Sequence, residues 1–402
     1  MPPVELIGGA LIVLVVAWDA FATVILPRRV SRRLRLSGVF LEMTWRFWTA
    51  VGRRLSRIGR GEGYLGTYAL LALLALFGLW SLTVLLGYSV IDMGLGSNAF
   101  RHPGVPGGFG TDLYVSGTTL FTLGLGDVLP ATGWARVVTV IECATGLTFL
   151  ALVISYLPVL YQSFSTRELE IAMLDEWAGT PPTAVELLRR LAREGSLEEL
   201  TTVLRQWELW AAELLESHIS YPILGYYRSQ HDNESWLAGL TAVLDTATLS
   251  IVGLAGVPKA QARRTFAMAR HAAVDLSQVL NASPTHPHEQ PRESTTGPPS
   301  DRPSGPHDVE GRAGVTLSDL ASLLEEAGVG VEVDSGKEGR FAKIRESYEP
   351  YLEALSVRLL MPLPPLLPGV GGHDNWRASP WEMIVDPTES PVRRDSQRPR
   401  RG

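Results

Sequence analysis

The chain has 402 residues, 46% hydrophobic and 19% charged, with a formal net charge of −6 and a mean hydropathy of +0.10. The apolar excess sits in the first 165 residues and the remainder reads as a polar, helix-rich chain, which excludes one uniform globular enzyme. A single cysteine, Cys143, excludes an intrachain disulfide and any CxxC metal or redox pair.

Three apolar segments are long enough to cross a bilayer, which takes about 20 residues. The first runs from Leu6 to Leu26 and is interrupted by Asp19. A secretory signal is the rival reading, and it fails because MPPVELIGG has no positive n-region and no small-residue cleavage site follows. The second segment is charge-free from Gly63 to Ile91. The third is charge-free from Cys143 to Thr166 and starts near Gly133, with Arg136 and Glu142 in its first turns. Between the first two lie Arg28, Arg29, Arg32, Arg33, Arg35, Arg46, Arg53, Arg54, Arg57 and Arg60. A loop so rich in arginine belongs in the cytoplasm, which sets the N-terminus outside and everything after Ser165 inside. Trp45, Phe47 and Trp48 stand among those arginines, as in a helix lying at headgroup level or in a solvated linker.

Ser97 to Gly110 is rich in Gly and Pro and reads as an exposed external loop. Residues 113–126 then carry no charge, yet they are too short to span. Such a stretch beside membrane spans reads as re-entrant, with non-helical backbone tolerated only where it lines a cavity or is buried in protein. Within it lies Thr122-Leu123-Gly124-Leu125-Gly126-Asp127. Two alternating glycines permit backbone conformations that other residues resist, so that successive carbonyl oxygens can face one way and replace the hydration shell of a cation. The short helix expected before it, 113–121, would direct its negative dipole end at a cation in the cavity below.

These residues resemble the pore of the potassium-channel family. The similarity covers about 64–163 and rests on TTLFTLGLGD, on Pro130 shortly after it, and on Gly146 in the following helix. The resemblance implies that Thr122, Leu123, Gly124 and Leu125 supply ion-coordinating carbonyls and that Gly126 and Asp127 form the outer mouth. Gly146 falls where members often carry a hinge glycine. Leu125 departs from the usual Tyr or Phe, which removes a hydroxyl that would brace the filter, and Phe121 replaces a frequent Thr. Other glycine pairs, Gly94-Leu95-Gly96 and Gly328-Val329-Gly330, have no such setting, and the GxGxxG at 61–66 opens an apolar helix with no strand before it. One chain carries one filter strand and a carbonyl ring needs four, so a homotetramer in the lipid bilayer is expected. K+ is the permeant ion, held by filter carbonyls only, and no cofactor, metal-ligand cluster or nucleic-acid partner is expected.

Asp19 lies within the first span and either pairs with a loop arginine, binds the helix bundle or serves gating. Glu142 either hydrogen-bonds the pore region or tunes conduction. Pro158, twelve residues beyond Gly146, marks either a gate or the helix exit. The first helix lacks the arginine ladder of a voltage sensor.

Residues 167–283 read as consecutive helices. A capping box at Thr183–Glu186 opens one that ends at Gly195, and Ser196–Glu199 starts the next, which runs to Ile219. Two more are expected at 233–253 and 258–280. Residues 235–258 carry one charge, Asp245, and read either as a buried helix or as a fourth span. His218, Arg228, His231 and Asp232, in the aromatic stretch 217–236, form a candidate ligand or subunit-contact site, or else a polar turn. Residues 284–312 have the Pro-rich composition of a disordered linker. Two helices follow, 317–327 and 340–360, and the basic tail 385–402 either meets anionic lipid or stays solvated.

The expected fold is therefore an all-α membrane protein with three transmembrane helices, a re-entrant pore helix and filter, and a helical cytoplasmic domain. Its parts are an N-terminal helix at 1–27, a basic segment at 28–62, a pore domain at 63–166 (outer helix 64–91, pore helix 113–121, filter 122–127, inner helix 133–162), helical regions at 167–283 and 313–384, and linker and tail. The expected function is passive, potassium-selective conduction through a tetrameric pore regulated by its cytoplasmic helical domain, and the sequence does not identify a regulator that would act on that domain. A non-conducting membrane-anchored sensor or scaffold and a poorly selective cation channel are the alternatives. Nothing in the chain resembles a catalytic constellation.

Overall fold

The computed structural model describes residues 2–24, 36–56, 61–96, 100–101, 108–193, 197–229, 234–254, 257, 259–282, 284 and 311–367. It divides into two compact units, Met1–Phe164 with Ile219–Tyr227, and Ser165–His218 with Arg228–Gly402. The protein is an all-α membrane protein, and three helices are long and apolar enough to cross a membrane.

The first unit opens with α1 (Pro2–Val24) and α2 (Leu36–Ser56). A short α3 (Gly61–Gly66) leads into α4 (Tyr68–Leu95). α1 packs closely along α4: a Cβ on Gly9 would lie 2.5 Å from the Gly87 carbonyl, so the backbones meet where both residues are glycine. Elsewhere Leu11, Leu14 and Trp18 on α1 and Leu70, Leu74 and Leu82 on α4 are exposed, the pattern of helices that face hydrocarbon. In α2 the aromatics divide. Trp45 is buried against Tyr68 and Trp48 stacks on Tyr64, while Phe47 joins Leu36, Val39 and Met43 on the exposed face. The apolar stripe that faces outward is therefore 36/39/43/47, and the two tryptophans belong to the protein interior.

A two-residue strand β1 (Phe100–Arg101) pairs antiparallel with β2 (Leu129–Pro130), giving part of the expected 97–110 loop a regular partner. Residues 97–99 and 102–107 lie outside the described residues. Between the strands stands α5 (Phe109–Leu120), which starts four residues earlier than the charge-free run suggested. Asp112 ends that run but suits a first helical turn, where free N–H groups favour an anion. Val115 of α5 closes a small core with Phe100 and Ala135.

α6 (Gly133–Ala178) has 46 residues, so the expected end at 162 is wrong. It passes through Pro158 without stopping, and the boundary between the units falls inside it. The chain returns to the first unit at 219–227. There the 3₁₀ turn Pro222–Tyr226 sets Tyr226 against Trp45 and Tyr68, Tyr221 meets Tyr156, and Tyr227 meets Phe164.

The second unit comprises the end of α6, α7 (Ala184–Arg193), α8 (Leu200–Ser220), α9 (Trp236–Val252), α10 (Lys259–Val279), α11 (Leu317–Glu325), α12 (Ser335–Glu346) and α13 (Glu349–Leu359). Thr183 Oγ1 accepts from Glu186 N–H at 3.2 Å and caps α7, whereas Gly195 and Ser196 lie outside the described residues. Every residue of α9 is buried. This helix is apolar all round because neighbouring helices surround it, and the fourth-span alternative falls away. Asp245 in its middle takes both Nη atoms of Arg312, at 2.8 and 2.9 Å, and the Tyr348 hydroxyl at 2.6 Å. Residues 311–367 are thus bolted into the same unit as α9 and are not a separate segment. The single helix expected at 340–360 is two, because Pro350 in the first turn of α13 has no N–H to continue the ladder from α12. The linker 285–310 and the tail 368–402 lie outside the described residues.

Candidate functional site

α5 is short and turns straight into the strand 122–127. Its end is held by amides of the strand: Phe121 N–H donates to Gly117 O at 3.1 Å and Thr122 N–H to Thr119 O at 3.0 Å. Leu123 and Gly124 N–H both donate to Thr118 O, at 2.8 and 3.1 Å. Among the described residues no donor is directed at the carbonyls of Thr122 through Gly126. The first half of the strand, Thr122 to Gly124, has committed its amides to the helix, and the carbonyls are left unclaimed.

Backbone conformation repeats with a period of two. Thr122 (φ 58°), Gly124 (φ 55°) and Gly126 (φ 76°) are all left-handed. Alternation of this kind is how successive carbonyls come to face one side of a strand. For Gly124 and Gly126 the requirement is conformational alone, since an added Cβ would meet nothing within 4 Å. Thr122 is β-branched and adopts the same region, a strain of about 1–3 kcal/mol of the kind that collects at functional sites. Leu123 and Leu125 are 64% and 63% exposed, so the chain itself covers neither side chain of the strand.

Asp127 accepts from the Tyr114 hydroxyl at 2.8 Å. The brace that a Tyr at position 125 would have offered is absent, and α5 supplies a different one at the far end of the strand. Tyr114 was missed in the sequence because nothing there links residues thirteen apart in a helix and a strand. Gly146 of α6 crosses the end of α5 so closely that a Cβ would overlap the Leu120 carbonyl. Close approach is thus a sufficient reason for a glycine there, independent of any hinge.

Asp19 is buried and bound within the helix bundle. It accepts from Trp80 Nε1 at 2.9 Å, Ser37 N–H at 3.0 Å and Ser37 Oγ at 3.2 Å, which ties α1 to α4 and α2. Glu142 is buried behind the strand and bonds Ser116 of α5. Asp92, buried on α4, has no hydrogen-bond partner among the described residues for either carboxyl oxygen. Pro158 is exposed on α6.

Of the candidates in 217–236, His218 and Arg228 are described, and the two have separate partners. His218 is fully buried, donates Nδ1–H to Leu214 O at 2.8 Å and faces Arg167 Nη1 with Nε2 at 3.4 Å. Burial, then the Arg167 charge, push its pKa down to about 3, so the ring is neutral. Arg228 instead donates to Leu359 O at 2.7 Å. His231 and Asp232 lie outside the described residues.

Two spanning helices with a re-entrant helix between them, followed by a strand of unclaimed carbonyls, define the pore segment of an ion channel. A family model described as Ion channel matches residues 78–162, from within α4 into α6. The chain is 27% identical over 143 residues to the uncharacterized membrane protein YdjJ of Bacillus subtilis (strain 168), which is 35% of this chain and 40% of that protein. The chain therefore spans about two fifths of the length of the curated relative it matches. No solved structure matches the chain.

Proposed function

We propose that the protein is a potassium-selective channel in which four copies of the strand 122–127 line one ion path. The observation that carries this reading is the period-two left-handed backbone at 122, 124 and 126 together with carbonyls that no donor claims. A ring of such carbonyls replaces the water around a dehydrated K+ ion. Thr122, Leu123, Gly124 and Leu125 offer those oxygens, while Gly126 and the Tyr114-braced Asp127 hold the mouth. One chain supplies one strand, so the ring needs a homotetramer, and the uncovered Leu123 and Leu125 offer surface for neighbouring copies.

The arginine-rich segment between α1 and α4 supports an N-terminus outside and a second unit in the cytoplasm of a cell-membrane protein. The outward apolar stripe of α2, flanked by Arg46, Arg53 and Arg54, suits a helix at the headgroup level. The second unit sets the open probability, since α6 is one helix from the filter region into that unit.

Purified protein in liposomes, under K+ and Na+ gradients, tests this reading. K+ flux well above Na+ flux is expected. Equal fluxes would point to a poorly selective cation channel, and no flux to a non-conducting scaffold.

A further inference from the structure

α8 does not end inside the second unit. It runs unbroken from Leu200 to Ser220, while the boundary between the units falls after His218, so its last residues belong to the first unit. Pro222 stops it. Proline brings no N–H to the helical ladder and turns the residue before it away from helical backbone, as in Tyr221 (φ −131°, ψ 77°). The chain then closes on itself as the 3₁₀ turn Pro222–Tyr226, with Leu224 N–H on Tyr221 O at 2.9 Å and Tyr227 N–H on Leu224 O at 3.1 Å. Both flanks of the turn are held in the second unit. His218 is fully buried there, its ring 5.2 Å from that of Trp236, and Arg228 donates to Leu359 O.

The tip is gripped by three helices of the first unit. Tyr226 meets Trp45 of α2 edge-on, with ring centroids 4.8 Å apart, and Tyr68 at the start of α4 at 5.5 Å. Tyr221 and Tyr227 take α6 on either side of Pro158, through Tyr156 at 5.6 Å and Phe164 at 5.3 Å. Ile223, Leu224 and Tyr226 are buried, so the turn is packed into the unit and is not a surface loop. From Tyr156 the ring contacts continue to Phe77 and Trp80 of α4 and on to Phe149 of α6. Phe77 and Phe149, with Phe121 and Thr122, line a cavity of about 380 Å³ at the start of the strand.

We propose that residues 221–227 are a coupling foot, through which the second unit acts on the pore segment in addition to its continuity along α6. The foot is carried at the end of a 21-residue helix, and close-packed side chains pass a displacement of that helix to whatever the tip grips. Here the tip grips α4 and α6, the two helices that bound the cavity at the strand. The effect on conduction rests on the ion-channel reading, whereas the foot itself does not.

Coupling is measured by combining a change in the second unit with a change in the foot. Arg312→Leu leaves Asp245 without its cation in the second unit, and Tyr226→Ala removes the ring that meets Trp45 and Tyr68. Hydrogen–deuterium exchange of the peptide spanning residues 64–70 is followed in detergent, and K+ flux in liposomes, for the full-length wild type, each single variant and the double variant. In the wild-type background Arg312→Leu should change both exchange and flux by about fivefold or more, the lower end of ordinary coupling between sites. In the Tyr226→Ala background both responses should shrink to less than about twofold, while Tyr226→Phe, which keeps the ring, should keep them. If Arg312→Leu does not yield folded protein, Tyr348→Phe, which loses one hydrogen bond to Asp245, takes its place, and Tyr221→Ala does the same for Tyr226→Ala. Equal responses with and without Tyr226→Ala would leave α6 as the whole connection and overturn the foot. So would the absence of any response in the wild-type background. A wild type that shows no flux, with the exchange pattern as expected, refutes the channel reading and leaves the foot standing.

Discussion

α1 and α9 are both strongly apolar helices with a single aspartate in the second half, and their surroundings are opposite. α1 turns Leu11, Leu14 and Trp18 outward, while α9 has every residue buried. Their aspartates differ in the same way. Asp19 is held by neutral donors, Trp80 and Ser37, and Asp245 by the two-pronged guanidinium of Arg312 with Tyr348. A carboxylate at a membrane helix contact can be met by a few local hydroxyl and N–H groups. In the packed second unit it is met by a cation delivered from 67 residues further along the chain. Hydrophobicity along the helix does not separate the two cases, but the partner of the aspartate does.

Substitutions test this contrast between a membrane unit that contains the strand 122–127 and a helical unit organised around α9. The largest effect is expected at the strand. Gly124→Ala should reduce K+ flux to background, because φ 55° disfavours any Cβ and the strain of about 1–3 kcal/mol recurs in each copy. Leu125→Tyr should retain flux, since in the proposed filter that position contributes a backbone oxygen. Liposome flux at equal reconstituted protein checks both, and normal flux through Gly124→Ala would remove the filter assignment.

Arg312→Leu comes next. It leaves Asp245 buried without its cation, and a broken buried pair costs about 3–5 kcal/mol. Thermal unfolding of the detergent-solubilised protein should lose the second unit's transition at much lower temperature, while Leu317 and Leu355, buried in that unit, become open to proteolysis nearby. Unchanged unfolding would show that the bridge is not what holds the C-terminal helices.

Asp19→Asn should cost less, about 1–2 kcal/mol, because the amide oxygen in the place of Oδ2 still accepts from Trp80 Nε1 and Ser37 N–H, and only the Ser37 Oγ contact to Oδ1 is altered. The same Asp-to-Asn change at residue 245 removes the charge that Arg312 needs and should be the more damaging of the two. Equal melting shifts would erase the distinction drawn between the two helices.

The smallest effect is a pH slope. His218 is neutral in the fold, with a pKa pushed down to about 3 from its ordinary 6.5. Below pH 6.5 the unfolded chain binds a proton that the folded one refuses. The stability of the second unit should therefore fall as pH drops from about 6.5 towards 3, by at most about 1.4 kcal/mol per pH unit. His218→Gln should flatten that slope in melting curves between pH 7 and 5, and an unaltered slope would assign it to other groups.

Length, charge segregation and the period of the apolar residues determined much of the architecture: three spans, a short re-entrant helix, and the glycine pair at 124 and 126 whose left-handed φ needs no Cβ. These are local properties, set by residues within one or two turns of each other. What the tertiary structure decided are the pairings across distance. It joined Tyr114 to Asp127, Ser116 to Glu142 and Arg312 to Asp245, and it set Gly146 against Leu120. It carried α6 through Pro158, where helix rules favour a stop, because a proline costs a helix one hydrogen bond while buried Leu160, Phe164, Ile171 and Leu174 beyond it gain from packing. It also separated α1 from α9, since an apolar helix reads the same whether its neighbours are lipid or protein, and only the packing around it distinguishes the two.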